Sequence, residues 1–360
     1  MIKGTGNGTG GRENQLQFLR FLAFLNVFVL HIGSWRMTDY PAWNGAVSAV
    51  TFFFLLSGIL AGFSVYGREV EVSLPAIARD IWKKLRKVYP LHIVTTCFAL
   101  IYVGLPAQIV HDLGNSGDAL ICLLRCMLLV QSWFPDGAMS YNGASWYLST
   151  LFFLYLLQIP MQALLIRIGK KERHKTVFAV LATALMLATA GYSYITYHSG
   201  FFSDIHFWQY VFPPARIGQY FIGMVVGYTL RERKEGGIPR KTALFTVAEV
   251  LALLVWICAL WLPVEVWYNR LLWWIVPNLC LIGVFLLGQG WLSALFRLRP
   301  FVRLGDVSFE CYLVHGCVIN ALAGVEPLSG WGRRVCIGIA LGYTLLIAFF
   351  IHGRSRKVNE

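Results

Sequence analysis

Two ionisable side chains, Arg20 and His31, stand in one apolar stretch, where each is costly enough to be a functional candidate. They are eleven residues apart. At about 100° per residue this closes three helical turns, so both project from one face of a helix, roughly 16 Å apart along its axis. An imidazole, with an ordinary pKa of about 6.5, can take a proton from a hydroxyl at neutral pH. A guanidinium can hold a phosphate or polarise the region of a reacting carbonyl, and both roles stay open for Arg20. Standing alone, the pair also has a plainer explanation: an arginine snorkelling to one surface and a histidine at the other.

Further groups stand in comparable settings. Lys83-Lys84-Leu85-Arg86-Lys87-Val88-Tyr89-Pro90 places four cations in five residues, next to a proline expected to start a helix. Such a run is an anion site, a topological anchor, or both. Arg216, Glu310 and His315 lie in other apolar stretches, and a carboxylate there must be paired or neutral. No Asp or Glu lies near His31 in its own stretch, so its orienting partner must come from elsewhere, with Ser57, Glu310 and His315 as candidates. Arg216 is expected to bind an acceptor or to pair with Asp204, and Glu249 receives no role.

The elements that must hold these groups follow from composition. Of 360 residues, 57% are apolar and 14% charged, with a mean hydropathy of +0.60. A soluble domain carries about a quarter charged residues, so a water-soluble enzyme is excluded. Apolar runs near 15–32, 46–66, 89–109, 145–166, 176–197, 210–230, 242–262, 271–290, 304–323 and 335–352 each approach the roughly 20 residues that cross a bilayer. The expected fold is therefore an all-α transmembrane bundle of about ten spans. Ala119–Val130 is short for a crossing and interrupted by Arg125, which suits a re-entrant or interfacial helix. Residues 15–352 form a single domain between a flexible leader, 1–14, and a basic tail, 353–360.

The net charge of +13 first suggests nucleic acid. The ten-span arrangement puts 24 of the 31 basic residues on the side of the N-terminus and five on the other. That asymmetry places both termini in the cytoplasm and removes the need for a nucleic-acid partner. The leader lacks a signal-peptide pattern, so the first span is expected to be retained. The eight cysteines form no CxxC pair and are expected to pack as small apolar residues. Aromatic-rich outer loops at 33–45, 110–144 and 198–209 suit a membrane-interface belt, and also sugars.

Six ordered blocks carry a resemblance. Arg20-x10-His31, FFFLLSG at 52–58, KKLRKVYP at 83–90, Trp146-Tyr147-Leu148-Ser149, Arg216 with Gln219-Tyr220-Phe221-Ile222-Gly223-Met224, and Leu304-Gly305-Asp306-Val307-Ser308-Phe309 with Tyr312-Leu313-x-His315 are similar to the signature of the acyltransferase-3 integral membrane family. The resemblance implies O-acylation, usually O-acetylation, from cytoplasmic acyl-CoA to a hydroxyl of a glycan, lipid-linked sugar or natural product. It implies that Arg20 and His31 are catalytic, with His31 as base, and that the block holding Lys83, Lys84, Arg86, Lys87 and Tyr89 meets the CoA end of the donor. Ser57, Trp146, Ser149, Arg216, Glu310 and His315 are then expected along the substrate path. Two departures stand out. The family's R-x-x-R is here Lys84-x-x-Lys87, which binds phosphate without the guanidinium fork. The W-x-L-S block is followed by Thr150 where many members carry an acid.

Elementary chemistry agrees with this reading. Transfer from a thioester to a hydroxyl needs a base at the hydroxyl and a basic, wet site for the CoA phosphates. The expected protein is thus a multi-pass enzyme of a bacterial plasma membrane, surrounded by lipid, using acyl-CoA and no metal. The rival is a proton-coupled transporter or flippase for a lipid-linked or glycan substrate. It predicts paired inverted repeats, and none is evident.

Overall fold

A computed structural model describes residues 13–32, 41–102, 116–239, 241–323 and 330–359. The leader up to residue 12, most of the loop at 33–45 and the start of the loop at 110–144 lie outside the described residues. Among the described residues every regular element is helical. The order is α1 Gln15–His31, α2 Ala42–Val65, α3 Leu74–Tyr102, α4 Ser116–Met127, α5 Trp146–Gly169, α6 His174–His198, α7 Ile217–Glu235, α8 Thr242–Trp261, α9 Ile275–Leu287, α10 Trp291–Phe296, α11 Arg299–Asp306, α12 Ser308–Ala323 and α13 Gly330–Asn359.

Each expected span overlaps one of these helices. Among the described residues six segments are long and apolar enough to cross a membrane: α2, α5, α6, α8, α9 with the turns before it, and α13. The other four fall short for visible reasons. At 1.5 Å per residue, α1 with 17 residues and α12 with 16 measure about 25 Å, less than a bilayer core. The helices α3 and α7 carry charged turns at one end.

The centre is α2, with 78% of its apolar window buried against 17% for α6 and α13. Its closest partner is α7, and glycines make the approach possible. A Cβ added at Gly62 would sit 1.9 Å from the Met224 carbonyl oxygen, and one at Gly227 would sit 2.0 Å from that of Ile59. With Gly58 and Gly223 these form a reciprocal pair of G-x-x-x-G stripes, so the two backbones touch. The outer helices α6, α8 and α13 expose Val180, Leu187, Leu244, Leu346 and Phe350, as a lipid-facing surface would.

Three boundaries differ from expectation. Pro90 does not start a helix: α3 begins sixteen residues earlier and runs through it. The start is built by Ser73, whose hydroxyl accepts from the Ala76 backbone N–H at 3.3 Å, with Pro75 in the first turn where no N–H is needed. The span expected at 210–230 begins later, because residues 207–211 form a π turn and Pro213–Arg216 a 3₁₀ turn before α7. The segment at 304–323 breaks at Val307, which divides α11 from α12. The basic tail is no separate element, since α13 continues through it to Asn359.

At twelve residues, α4 is too short to cross. It descends beside α3: the Tyr89 hydroxyl donates to the Met127 carbonyl at 2.8 Å, and His92 Nε2 meets the Cys126 carbonyl at 2.9 Å. Both carbonyls end a helix, where intrahelical partners run out; that of Cys126 also accepts from the Leu129 backbone N–H at 3.1 Å. Tyr89 lies roughly 20 Å from the Tyr102 end of α3, so the tip of α4 reaches far along the helix axis, on the flank of the bundle. Irregular backbone at that depth is tolerated because protein supplies its hydrogen bonds.

Candidate active site

The helix α1 carries one candidate at each end. Arg20 lines a cavity of about 280 Å³ between α1, α2, α3, α5 and α12. Its guanidinium donates to Gln17 Oε1 at 3.0 Å, and it also borders a neighbouring cavity of about 380 Å³ with Arg68 and Arg231. Lys84 is the second cation of the first cavity. Its ammonium donates to Asp80 Oδ2 (2.5 Å) and Gln158 Oε1 (2.7 Å), and lies 4.2 Å above the Tyr155 ring. Burial holds it below the ordinary lysine value, opposed by Asp80.

The basic run does not act as one cluster. On a helix turning about 100° per residue, Lys84 faces inward while Lys83, Arg86 and Lys87 are exposed. Tyr89, expected beside the donor, is instead engaged with α4. Ser57 lines the Arg20 cavity among Leu56, Leu60 and Phe152. The far end of that cavity is closed by three rings from three helices, Phe53, Tyr147 and Tyr312. They meet edge to face with centroids 5.7–6.1 Å apart.

Beyond the rings lies a cavity of about 230 Å³, lined by His31, His315, Tyr141, Asn142 and Asn320. His31 Nδ1 lies 2.8 Å from the Val27 carbonyl oxygen. A carbonyl only accepts, so this nitrogen carries the hydrogen and the basic lone pair is on Nε2. The His315 ring stands 5.0 Å from His31, crossed at 74°. Asn142 shapes the wall by donating to Thr95 Oγ1 (2.9 Å) and the Leu313 carbonyl (3.0 Å), tying the loop before α5 to α3 and α12. Of the three candidates for orienting His31, the structure thus brings one, His315, to it.

Glu310 is drawn elsewhere: its carboxylate accepts from His352 Nδ1 at 2.7 Å, joining α12 to α13. Trp146, Ser149 and Arg216 form the packing behind the site and line neither cavity. Ser149 belongs to a buried hydroxyl chain with Ser132 and Thr150. Arg216 is fully buried, and its expected partner Asp204 instead accepts from the Phe207 backbone N–H at 2.9 Å. The guanidinium donates to the Tyr210 carbonyl (2.7 Å), the Arg270 carbonyl (3.1 Å) and Gln219 Oε1 (3.0 Å). Tyr210 and Arg270 sit in the π turns before α7 and α9, whose widened backbone leaves carbonyls to be satisfied. Glu249 likewise has a structural place, accepting from the backbone N–H groups of Gly290 and Ser293 and from the Ser293 hydroxyl, at the N-terminus of α10.

Sequence reasoning missed Tyr141, Asn142 and Asn320, which no local pattern marks. Tyr312 and Phe53 lie within the six ordered sequence blocks, but spacing alone does not bring their rings together.

The model of the acyltransferase domain family matches residues 13–353. The chain is 29% identical over 350 residues to Acyltransferase MdmB of Streptomyces mycarofaciens, covering 92% of this chain and 82% of that protein. No solved structure matches it significantly. The family match runs from the residue before the α1 cap to the last turns of α13 and contains both cavities, so the chain belongs to the acyltransferase-3 family.

Proposed function

We propose that the protein moves an acyl group, with acetyl the expected one, from cytoplasmic acyl-CoA to a hydroxyl of a glycan, lipid-linked sugar or other envelope or natural-product acceptor. The observation that carries this reading is the placement of a basic cavity and an imidazole cavity toward opposite ends of one helix. Arg20 and Lys84 supply positive charge at the donor end, where Arg68 and Arg231 extend the basic surface. The CoA phosphates rest there and the pantetheine arm enters the apolar part of the cavity, past Leu56 and Phe152.

At the other end His31 Nε2 takes the hydroxyl proton as the oxygen attacks the thioester carbonyl. Displacement of the three-ring partition admits the thioester. The donor end is read as cytoplasmic. Supporting this, Lys234 pairs with Glu13 at 2.6 Å and Arg297 Nε donates to Gln15 Oε1 at 3.1 Å, which gathers the basic termini of several helices at the Arg20 end. The membrane is then the plasma membrane of a bacterium.

Purified protein given radiolabelled acetyl-CoA and a total envelope extract tests the proposal. Label should pass to the extract, and His31→Ala and Arg20→Ala should each abolish transfer while leaving the protein inserted and folded. Full transfer by a correctly inserted His31→Ala protein removes the assignment of the base.

A further inference from the structure

We infer that His315 carries the acceptor's proton from His31 to the departing sulfur, a relay within the imidazole cavity. This rests on the acyl-transfer reading above. His315 is fully buried, and its Nδ1–H donates to the carbonyl oxygens of Tyr312 (2.7 Å) and Cys311 (3.2 Å). The lone pair is therefore on Nε2, and that nitrogen is buried with no hydrogen-bond partner among the described residues. A bare acceptor in a protein interior is destabilising unless something periodically fills it.

Its neighbours say what fills it. The His31 ring is 5.0 Å away on the hydroxyl side. The Tyr312 ring, 5.9 Å away, lines the donor cavity. Phe24, at 5.8 Å, closes a third side. His315 thus adjoins the base within the same cavity, on the Tyr312 side from which the thioester enters and the thiol must withdraw. Among the described residues no carboxylate lines either cavity, and Glu310 is held by His352.

The step balances without another reagent. The hydroxyl O–H bond breaks and its proton goes to His31 Nε2, while the oxygen electron pair forms the new C–O bond. The C–S bond breaks and its pair remains on sulfur. The proton then passes from His31 Nε2 to His315 Nε2 and on to the thiolate, giving free CoA thiol and two neutral imidazoles. Because Nδ1 of each ring is tied to a backbone carbonyl, both transfers run through Nε2.

Three variants separate a relay from a packing role. Asn at this position keeps an N–H where Nδ1 stands and lacks Nε2. Gln places an amide nitrogen where Nε2 stands, but cannot carry a proton. Ala leaves room for imidazole from solution. With acetyl-CoA and a total envelope extract, His315→Asn and His315→Gln should lose about 100-fold or more in kcat with KM for acetyl-CoA little changed. Millimolar imidazole should restore His315→Ala roughly tenfold or better. Wild-type-like kcat in His315→Asn overturns the relay and leaves acyl transfer standing. So does loss in all three variants with no imidazole rescue, the mark of a packing role. If the wild-type protein itself transfers nothing, the acyl-transfer reading falls and the relay with it.

Discussion

The contact of α2 with α7 yields a quantitative test. Replacing Gly62 by Ala puts a Cβ 1.9 Å from the Met224 carbonyl oxygen. Carbon and oxygen rest at about 3.3 Å or more, so the helices must part by roughly 1.4 Å. A gap of that size forfeits a large share of the dispersion contacts along the seam, and overpacking of this kind costs about 1–3 kcal/mol. Gly227→Ala makes the same demand from the other helix, with its Cβ 2.0 Å from the Ile59 carbonyl. One separation serves both methyl groups, so the double variant should cost about as much as the worse single one. The two effects should fail to add by about 1 kcal/mol or more. Gly191→Ala on α6, with nothing within 4 Å, is the control and should be neutral or stabilising. The assay is equilibrium unfolding of purified protein in mixed detergent and dodecyl sulfate micelles, followed by circular dichroism. Either of two results refutes the argument: single variants that match wild type, or a double variant whose loss equals the sum.

Other outcomes follow from the same geometry. Glu249→Ala strands two backbone N–H groups and a hydroxyl at the start of α10 and should destabilise by about 3 kcal/mol in the same unfolding assay. Arg216→Lys keeps the charge but cannot reach carbonyls of both π turns. It should cost about 2 kcal/mol while activity per folded molecule persists, and a large fall in kcat at full stability would contradict the packing role. Lys84 holds its proton less firmly than a free lysine because it is buried, so its charge disappears as pH rises toward a value below 10.5. KM for acetyl-CoA should therefore rise on the alkaline side in wild type and stay flat in Lys84→Arg, measured as initial rates across pH 7–10. Burial, and then Arg270, pushes His206 down to about 4, so the unfolded chain binds its proton first. Stability should fall as pH drops from about 6.5 toward 4, and His206→Phe should flatten that slope.

The helical bundle and the ends of α1 were legible because apolar run length and the eleven-residue spacing are local patterns. The fate of the basic run was not, since which of four adjacent cations turns inward depends on where the helix starts. That start was written in Ser73 and Pro75 rather than in Pro90. Arg216 and Glu249 looked like functional charges because a buried charge is expensive, and nothing in the sequence announces the π turns at 207–211 and 269–273 or the α10 terminus that pair with them. The glycine stripes at 58 and 62 and at 223 and 227 were visible as spacing, but their reciprocity appears once the helices are laid together. The meeting of His31 with His315 joins positions 284 residues apart, beyond any local periodicity.

The rings of Phe53, Tyr147 and Tyr312 have an electrical consequence. Were water and ions to fill both cavities in an energised membrane, the voltage would fall mainly across the thin aromatic layer between them. One elementary charge crossing 100 mV gains or loses roughly 2.3 kcal/mol. The three rings would then be what keeps a bundle hollow at both ends an insulator at rest.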